Sequence, residues 1–292
     1  MNKPATIERF NAGASPQGCP VPPDQRSRMN QFLKFAIDTA RDAGALLKED
    51  HSRPKEISYK GEVDIVTETD RRSERLIVDR IQRVYPDHGI IAEEGGGCAT
   101  KTPKYCWHVD PLDGTTNFAH GYPCFAVSIG LTEDGVSIAG AVFNPISDEL
   151  FSAARGEGAH LNGKPIHVSK VEKLAVSLVS TGFPAHQRKN SINIDYYWEY
   201  TLRSHGVRRD GSAALDLCAV ACGRFDGFWE FRLNSWDTAA GVLLIEEAGG
   251  TVTDLSGRPF KPGGIETFAT NGRIHGEMLE TALRVREGAT KR

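Results

Sequence analysis

The stretch from Trp107 to Phe118, WHVDPLDGTTNF, constrains this chain more than any other. An apolar strand end, Trp107 to Val109, delivers Asp110. Pro111 fixes a turn, and Asp113 follows three residues after Asp110. Gly114 lets the backbone come close to a ligand, while Thr115 and Thr116 offer hydroxyls and backbone N–H groups at an expected helix start. The combination predicts a metal-carboxylate cluster beside an anion cradle. Three further segments bring acid without a neutralising base: EVDIVTETD at 62–70, IIAEEGGG at 90–97 and LNSWDTAAG at 233–241. Carboxylates on loops after strands suit hard cations, and with no paired His or Cys nearby magnesium is favoured over zinc. Two carboxylates about 5 Å apart repel by roughly 3 kcal/mol at an effective dielectric of about 20, so gathering several calls for a cation. Two magnesium ions so held would bind a phosphate, activate a water and stabilise the leaving oxygen.

Each acid also has a plain structural reading. Asp70 can cap the helix that follows it, and Asp237 the helix from 238 onward. Asp113 before Gly114 can be a bare turn, and Glu93 with Glu94 a solvated strand end. Spacing alone leaves these readings, and the reaction, open.

The rest of the chain sets the context. Its 292 residues suggest two units, and 39% apolar with 25% charged residues is ordinary globular composition. Net charge of -3 argues against a protein built to coat nucleic acid. No run of apolar residues is long enough for a membrane span, and residues 1–28 lack the apolar run of a secretory signal. Six cysteines without a CxxC pair favour neither a disulfide scaffold nor a zinc ribbon, and a cytoplasmic setting is expected. There is no GxxxxGK[ST] and no HExxH.

Residues 1–28 hold five of the 15 prolines and are expected to be a flexible tail. Helices are predicted over 29–50 and 70–84 from apolar spacing, the second stopped by Pro86. Short strands follow: HGIIAEE, YCWHVD, CFAVSIGLTE, VSIAGAVFNP and ELFSAARG, with Glu133-Asp134-Gly135 as a hairpin turn. They predict an antiparallel sheet covered by the first two helices, in an N-terminal half over 29–170. A C-terminal half over 171–288 alternates a buried strand, KLAVSLVSTGF, helices at 190–204, 212–223 and 237–248, and a strand, RFDGFWEF.

The motifs in order resemble the inositol monophosphatase family, the lithium-sensitive, magnesium-dependent phosphatases, over residues 29–288. Asp64 to Asp70 resembles its first motif, Asp110 to Phe118 its second almost residue for residue. Trp236-Asp237, Ala239-Ala240-Gly241 and Glu247 to Gly250 resemble its C-terminal motif. The resemblance implies an α/β (α+β) layered αβαβα sandwich and a phosphomonoesterase using two or three Mg2+ ions. By it, Glu93, Asp110 and the Leu112 carbonyl hold one ion, and Asp110, Asp113 and Asp237 another. Thr115, oriented by Asp70, works with Glu93 on the attacking water. Gly114 and Thr115 present N–H groups to the phosphate beside Asp113, while Ala213 and Glu230 contact substrate. Lys60 and Asp64 match peripheral charged positions. His108 departs from the family's usual apolar residue and is expected to be structural. A homodimer with no nucleic-acid or membrane partner is implied. GTTNF resembles the inositol-phosphate branch, with Thr116 where nucleotide- and histidinol-phosphate relatives carry a basic residue. Fructose 1,6-bisphosphate or another sugar phosphate is the alternative substrate, and a catalytically idle regulatory relative the alternative class.

Overall fold

The computed structural model describes residues 23–53, 57–59, 65–95, 103–183 and 191–288. Lys60, Asp64 and residues 1–22 lie outside the described residues.

Helix α1, Pro23–His51, places Phe32, Ala36, Ala40, Ala43 and Leu47 on one buried stripe. It starts six residues before the expected position of 29. Proline marked residues 20–23 as tail, yet proline is tolerated in a helix's first turn, where its missing N–H has no intrahelical partner. Two short strands, β1 (Ile57–Tyr59) and β2 (Ile65–Thr67), pair antiparallel ahead of helix α2, Glu68–Val84. Thr67, not Asp70, is the N-cap of α2.

Strands β3 (Gly89–Ala92) and β4 (Tyr105–Asp113) lead through the short helix α3 (Thr115–Ala119) to β5 (Ala126–Glu133) and β6 (Val136–Asn144). Next come β7 (Glu149–Ala154), β8 (Ala159–Leu161) and β9 (Lys164–Ile166). These seven strands form one sheet in sequence order. All its pairs are antiparallel except β3 with β4, which run parallel. The expected antiparallel sheet is therefore mixed, because β3 enters it in the same direction as β4. Asp134 and Gly135 both take positive φ, 50° and 81°, the two-residue hairpin turn that Asp-Gly favours.

The C-terminal half carries β10 (Leu178–Thr181), α4 (Asn193–Arg203), β11 (Gly206–Arg208), α5 (Ala213–Ala221) and β12 (Gly227–Phe231). It continues with α6 (Ser235–Glu247), β13 (Thr251–Thr253), β14 (Glu266–Thr270) and α7 (His275–Arg286). The segment expected as one strand from 173 to 183 is a short 3₁₀ turn at Leu174–Val176 and then β10, since Ser177 closes the turn onto the Leu174 carbonyl. The five strands order as β11-β10-β12-β14-β13, parallel on one side of β12 and antiparallel on the other.

Three apolar clusters bind the layers. One joins α1 and α2 to the seven-stranded sheet, with Trp107, Ile129 and Phe143 at its centre. The second places α5 and α6 between the two sheets, and the third packs α4 and α7 on the outer face of the five-stranded sheet. The order is αβαβα. Inside it α6 lies very close to the first sheet. A Cβ on Gly130 would sit 2.8 Å from Ala239, and one on Gly140 would sit 2.9 Å from Ala240. Glycine on the strands and alanine on the helix permit that approach, which carries the start of α6 to the end of β4. Among the described residues no helix is long and apolar enough to cross a membrane.

Candidate active site

Asp110 and Asp113 are three apart, so a regular strand would aim them at opposite faces. The β4–β5 register prevents this: Asp110 faces Ser128 and Asp113 faces Ala126, with a bulge between. Pro111, which has no N–H for the ladder, sits in that bulge. The extra residue brings both carboxylates to one side. The Leu112 N–H turns inward to donate to Asp110 Oδ1 at 3.0 Å, while the Leu112 side chain anchors in the core.

Asp237 arrives from the other half on the first turn of α6. Its Oδ2 accepts the Asn234 N–H at 2.6 Å. Asp237 thus does help cap its helix, but as its third residue, closing a capping box with the N-cap Asn234. Ligand oxygens of Asp110, Asp113 and Asp237 all lie within 4.8 Å of one another. Asp113 is steadied from a third direction, because its Oδ2 accepts from Ser212 Oγ and from the Ala214 N–H at 2.8 Å, at the N-terminus of α5.

Electrostatics mark the same three. Burial pushes the Asp110 carboxyl well above its ordinary range, and the nearby charges of Glu93, Asp113 and Asp237 push it further. Asp113 is raised by burial against its hydrogen bonds, and Asp237 by burial and then by Asp113. Glu93, on the turn after β3, donates its backbone N–H to the Val109 carbonyl at 3.3 Å, and its charge bears on both Asp110 and Asp237. Crowded carboxylates with oxygen donors only are the donor set of a hard divalent cation, which fits here and would offset their repulsion.

Asp70 is fully buried at the third position of α2's capping box, its Oδ2 accepting the Thr67 N–H at 2.8 Å. Its Oδ1 lies 3.0 Å from Thr115 Oγ1, which is also 3.0 Å from the Leu112 carbonyl. The single hydroxyl proton serves one of these acceptors at a time. Burial pushes the Asp70 carboxyl up to about 6, against the hydrogen bonds from Thr67 and Thr115. Asp70 and Asp237 share one device: one carboxylate oxygen satisfies a helix start, and the other faces the cluster or its threonine.

Gly114 takes φ of 92°, and a Cβ there would come within 2.9 Å of the Cys124 carbonyl. That left-handed residue opens α3, so Thr115 leads a helix directly beside the carboxylates. Asn117 ties this loop to the other half, donating at 2.7 Å to both the Cys124 and Asp210 carbonyls. Ala213 is the first residue of α5, and its backbone N–H also reaches the Asp113 carboxylate. Glu230 is buried on β12, its carboxyl raised by burial and then by Asp237 and Asp113, and it rests against Gly182.

Sequence reasoning passed over Ser212 and Asp216. Asp216 is buried on α5, its carboxyl raised by burial and by Glu230, Asp210 and Asp113. A signal was present: it is the one charged residue in the apolar helix AALDLCAVA.

Comparison with known proteins agrees with this geometry. The inositol monophosphatase family model matches residues 28–288. An inositol-1-monophosphatase of Synechocystis sp. is 44% identical over 257 residues, 87% of this chain and 89% of that protein. A Nus factor SuhB of Pseudomonas aeruginosa is 45% identical over 238 residues, 78% of this chain and 87% of that protein. The structure of an inositol monophosphatase from Anabaena (Nostoc) sp. PCC 7120 superposes with a TM-score of 0.80 at 42% identity, covering 88% of this chain and 97% of that one.

Proposed function

The chain belongs to the inositol monophosphatase family and is a phosphomonoesterase of it, and we propose that it hydrolyses a myo-inositol monophosphate to inositol and phosphate with magnesium. The observation that carries this reading is the convergence of Asp110, Asp113 and Asp237 from both halves within 4.8 Å. In this reading Glu93, Asp110 and the Leu112 carbonyl would hold one Mg2+ ion, and Asp110, Asp113 and Asp237 a second, for two or three ions in all. When bound, these ions supply positive charge to the phosphate oxygens and lower the pKa of a coordinated water.

The chain's own groups do the rest. Asp70 holds Thr115 by its hydroxyl, and Thr115 with Glu93 orients and deprotonates the attacking water. The N–H groups of Gly114 and Thr115 take phosphate oxygens at the start of α3. Glu230 and Ala213 border the alcohol side, where a buried acid suits a ligand with several hydroxyls. Thr116 leaves that side without the basic residue of the nucleotide-cleaving relatives.

A homodimer belongs to the same reading. It is supported by Ile194, Trp198 and Leu202, spaced four apart on α4 and 43%, 53% and 64% exposed. A cytoplasmic setting is supported by free Cys106, Cys124, Cys218 and Cys222, and lithium inhibition is expected by membership.

Phosphate release across a panel of inositol 1-phosphate, fructose 1,6-bisphosphate, a 3′-phosphonucleotide and an aryl phosphate tests the substrate. The highest kcat/KM on inositol 1-phosphate is expected. A higher value on the bisphosphate would move the assignment to sugar phosphates.

A further inference from the structure

Two residues before Asp110, the same strand carries a buried histidine that the hydrolytic reading does not use. His108 Nδ1 lies 2.8 Å from Ser235 Oγ, and Nε2 lies 3.2 Å from Thr132 Oγ1. The proton positions follow from the partners. Thr132 Oγ1 is 3.3 Å from the Cys106 carbonyl, which can only accept, so the threonine proton goes there. Its oxygen is then left to accept from His108 Nε2–H. With the ring proton on Nε2, Nδ1 is a bare acceptor, and the Ser235 hydroxyl donates to it.

This ordered chain begins at the first residue of α6 and ends inside the seven-stranded sheet. Ser235 is two residues before Asp237, as His108 is two before Asp110. The same turn also meets the sheet where Ser128 Oγ donates to the Trp236 carbonyl at 3.3 Å and where the Asp237 and Asp110 carboxyls share a hydrogen bond. Packing of Ala239 and Ala240 on Gly130 and Gly140 fixes the helix further along its axis.

We propose that His108 is a positioning residue: through Ser235 it holds the opening turn of α6, and so Asp237, at metal-binding spacing from Asp110 and Asp113. The link crosses from the N-terminal to the C-terminal half, the same crossing the metal site makes. Ser235 and His108 work as a pair, because the serine hydroxyl has its acceptor only while the ring is present. The proposal rests on the reading of this cluster as a metal centre.

The test is calorimetric titration of the metal-free full chain with magnesium alone, with kcat and the half-saturating magnesium concentration for phosphate release measured in parallel. His108→Leu fills the space without an acceptor, Ser235→Ala removes only the donor, and His108→Asn returns an acceptor near the Nδ1 position. Outer partners of metal ligands commonly contribute about 10-fold or more in affinity, so His108→Leu and Ser235→Ala should each weaken magnesium binding by about 10-fold. The double variant should be no weaker than either single one, and His108→Asn should recover most of the loss. kcat at saturating magnesium should stay near wild type, since no reacting group is removed. Wild-type affinity in Ser235→Ala, or additive losses in the double variant, would overturn the proposal, and Ser235→Ala decides alone if His108→Leu does not fold. Wild type that binds no magnesium would overturn the metal-centre reading itself, whereas wild type that binds it as tightly as every variant would overturn only the role of His108.

Discussion

Replacing Asp237 by asparagine separates a metal ligand from a helix cap. Asparagine keeps a side-chain oxygen for the Asn234 N–H, so the start of α6 retains its partner. What is lost is one charge from a set whose oxygens lie within 4.8 Å, where each ionised pair repels by about 3.5 kcal/mol or more at an effective dielectric of about 20. Protonation relieves part of that, as the raised pKa of all three carboxyls requires. Metal-free Asp237→Asn should therefore melt at or above the metal-free wild type. A magnesium ion supplied at about one hundred times its dissociation constant stabilises the folded state by about 2.7 kcal/mol. For a chain of this size that is a shift of about 5–10 °C per ion. Wild type, with at least two ions, should shift about twice as far as the variant, whose second ion has lost its only ligand from the C-terminal half. Paired thermal melts with and without magnesium read this directly. Equal shifts in the two proteins would make Asp237 a cap alone and remove the site between the halves.

Thr115→Ala removes the hydroxyl that Asp70 holds but no carboxylate, so kcat should fall far more than magnesium affinity, whereas Glu93→Gln should lower both; near-wild-type turnover in Thr115→Ala would take that threonine out of the mechanism. Glu230→Gln should cost more kcat/KM on inositol 1-phosphate than on an aryl phosphate, and equal losses would show that the residue acts on the site as a whole. Asp70 yields a pH signature. Its folded pKa of about 6 exceeds the unfolded value of about 3.9, so its contribution to stability is complete below the unfolded value and lost as pH rises through about 6. Metal-free Asp70→Asn should then show a flatter stability profile between about pH 4 and 6, by up to about 3 kcal/mol, in urea melts, and coincident profiles would refute that assignment.

Much of the fold is legible because the periodicities are strong. Phe32 to Leu47 announce α1, Asp134-Gly135 announce a hairpin, and the alternation after residue 170 announces an α/β half. The first helix extends past its expected start because proline is read as a breaker, while at a helix's first turn it is compatible. Parallel pairing of β3 with β4 is a long-range choice, and no local residue encodes it. In the site, the choice between helix cap and site residue for Asp70 and Asp237 has no resolution in the sequence, since both side chains use one oxygen for a helix start and leave the second for other work. The bulge at Pro111 and Leu112 is likewise invisible to spacing. Pro111 reads as a turn after the strand, whereas β4 continues through it to Asp113 by way of the bulge. Ser212 escapes notice, and His108 is noticed without its partner, because Asp113 and Ser235 are about a hundred residues away or more.

The central claim is that the carboxylates of Asp110, Asp113 and Asp237, with Glu93, work as a magnesium centre that cleaves a phosphomonoester. The most direct measurement is phosphate release from myo-inositol 1-phosphate by one preparation, first with magnesium, then after complete chelation, then with magnesium restored. Turnover should vanish on chelation and return with the ion. Turnover that survives chelation undiminished would contradict the account.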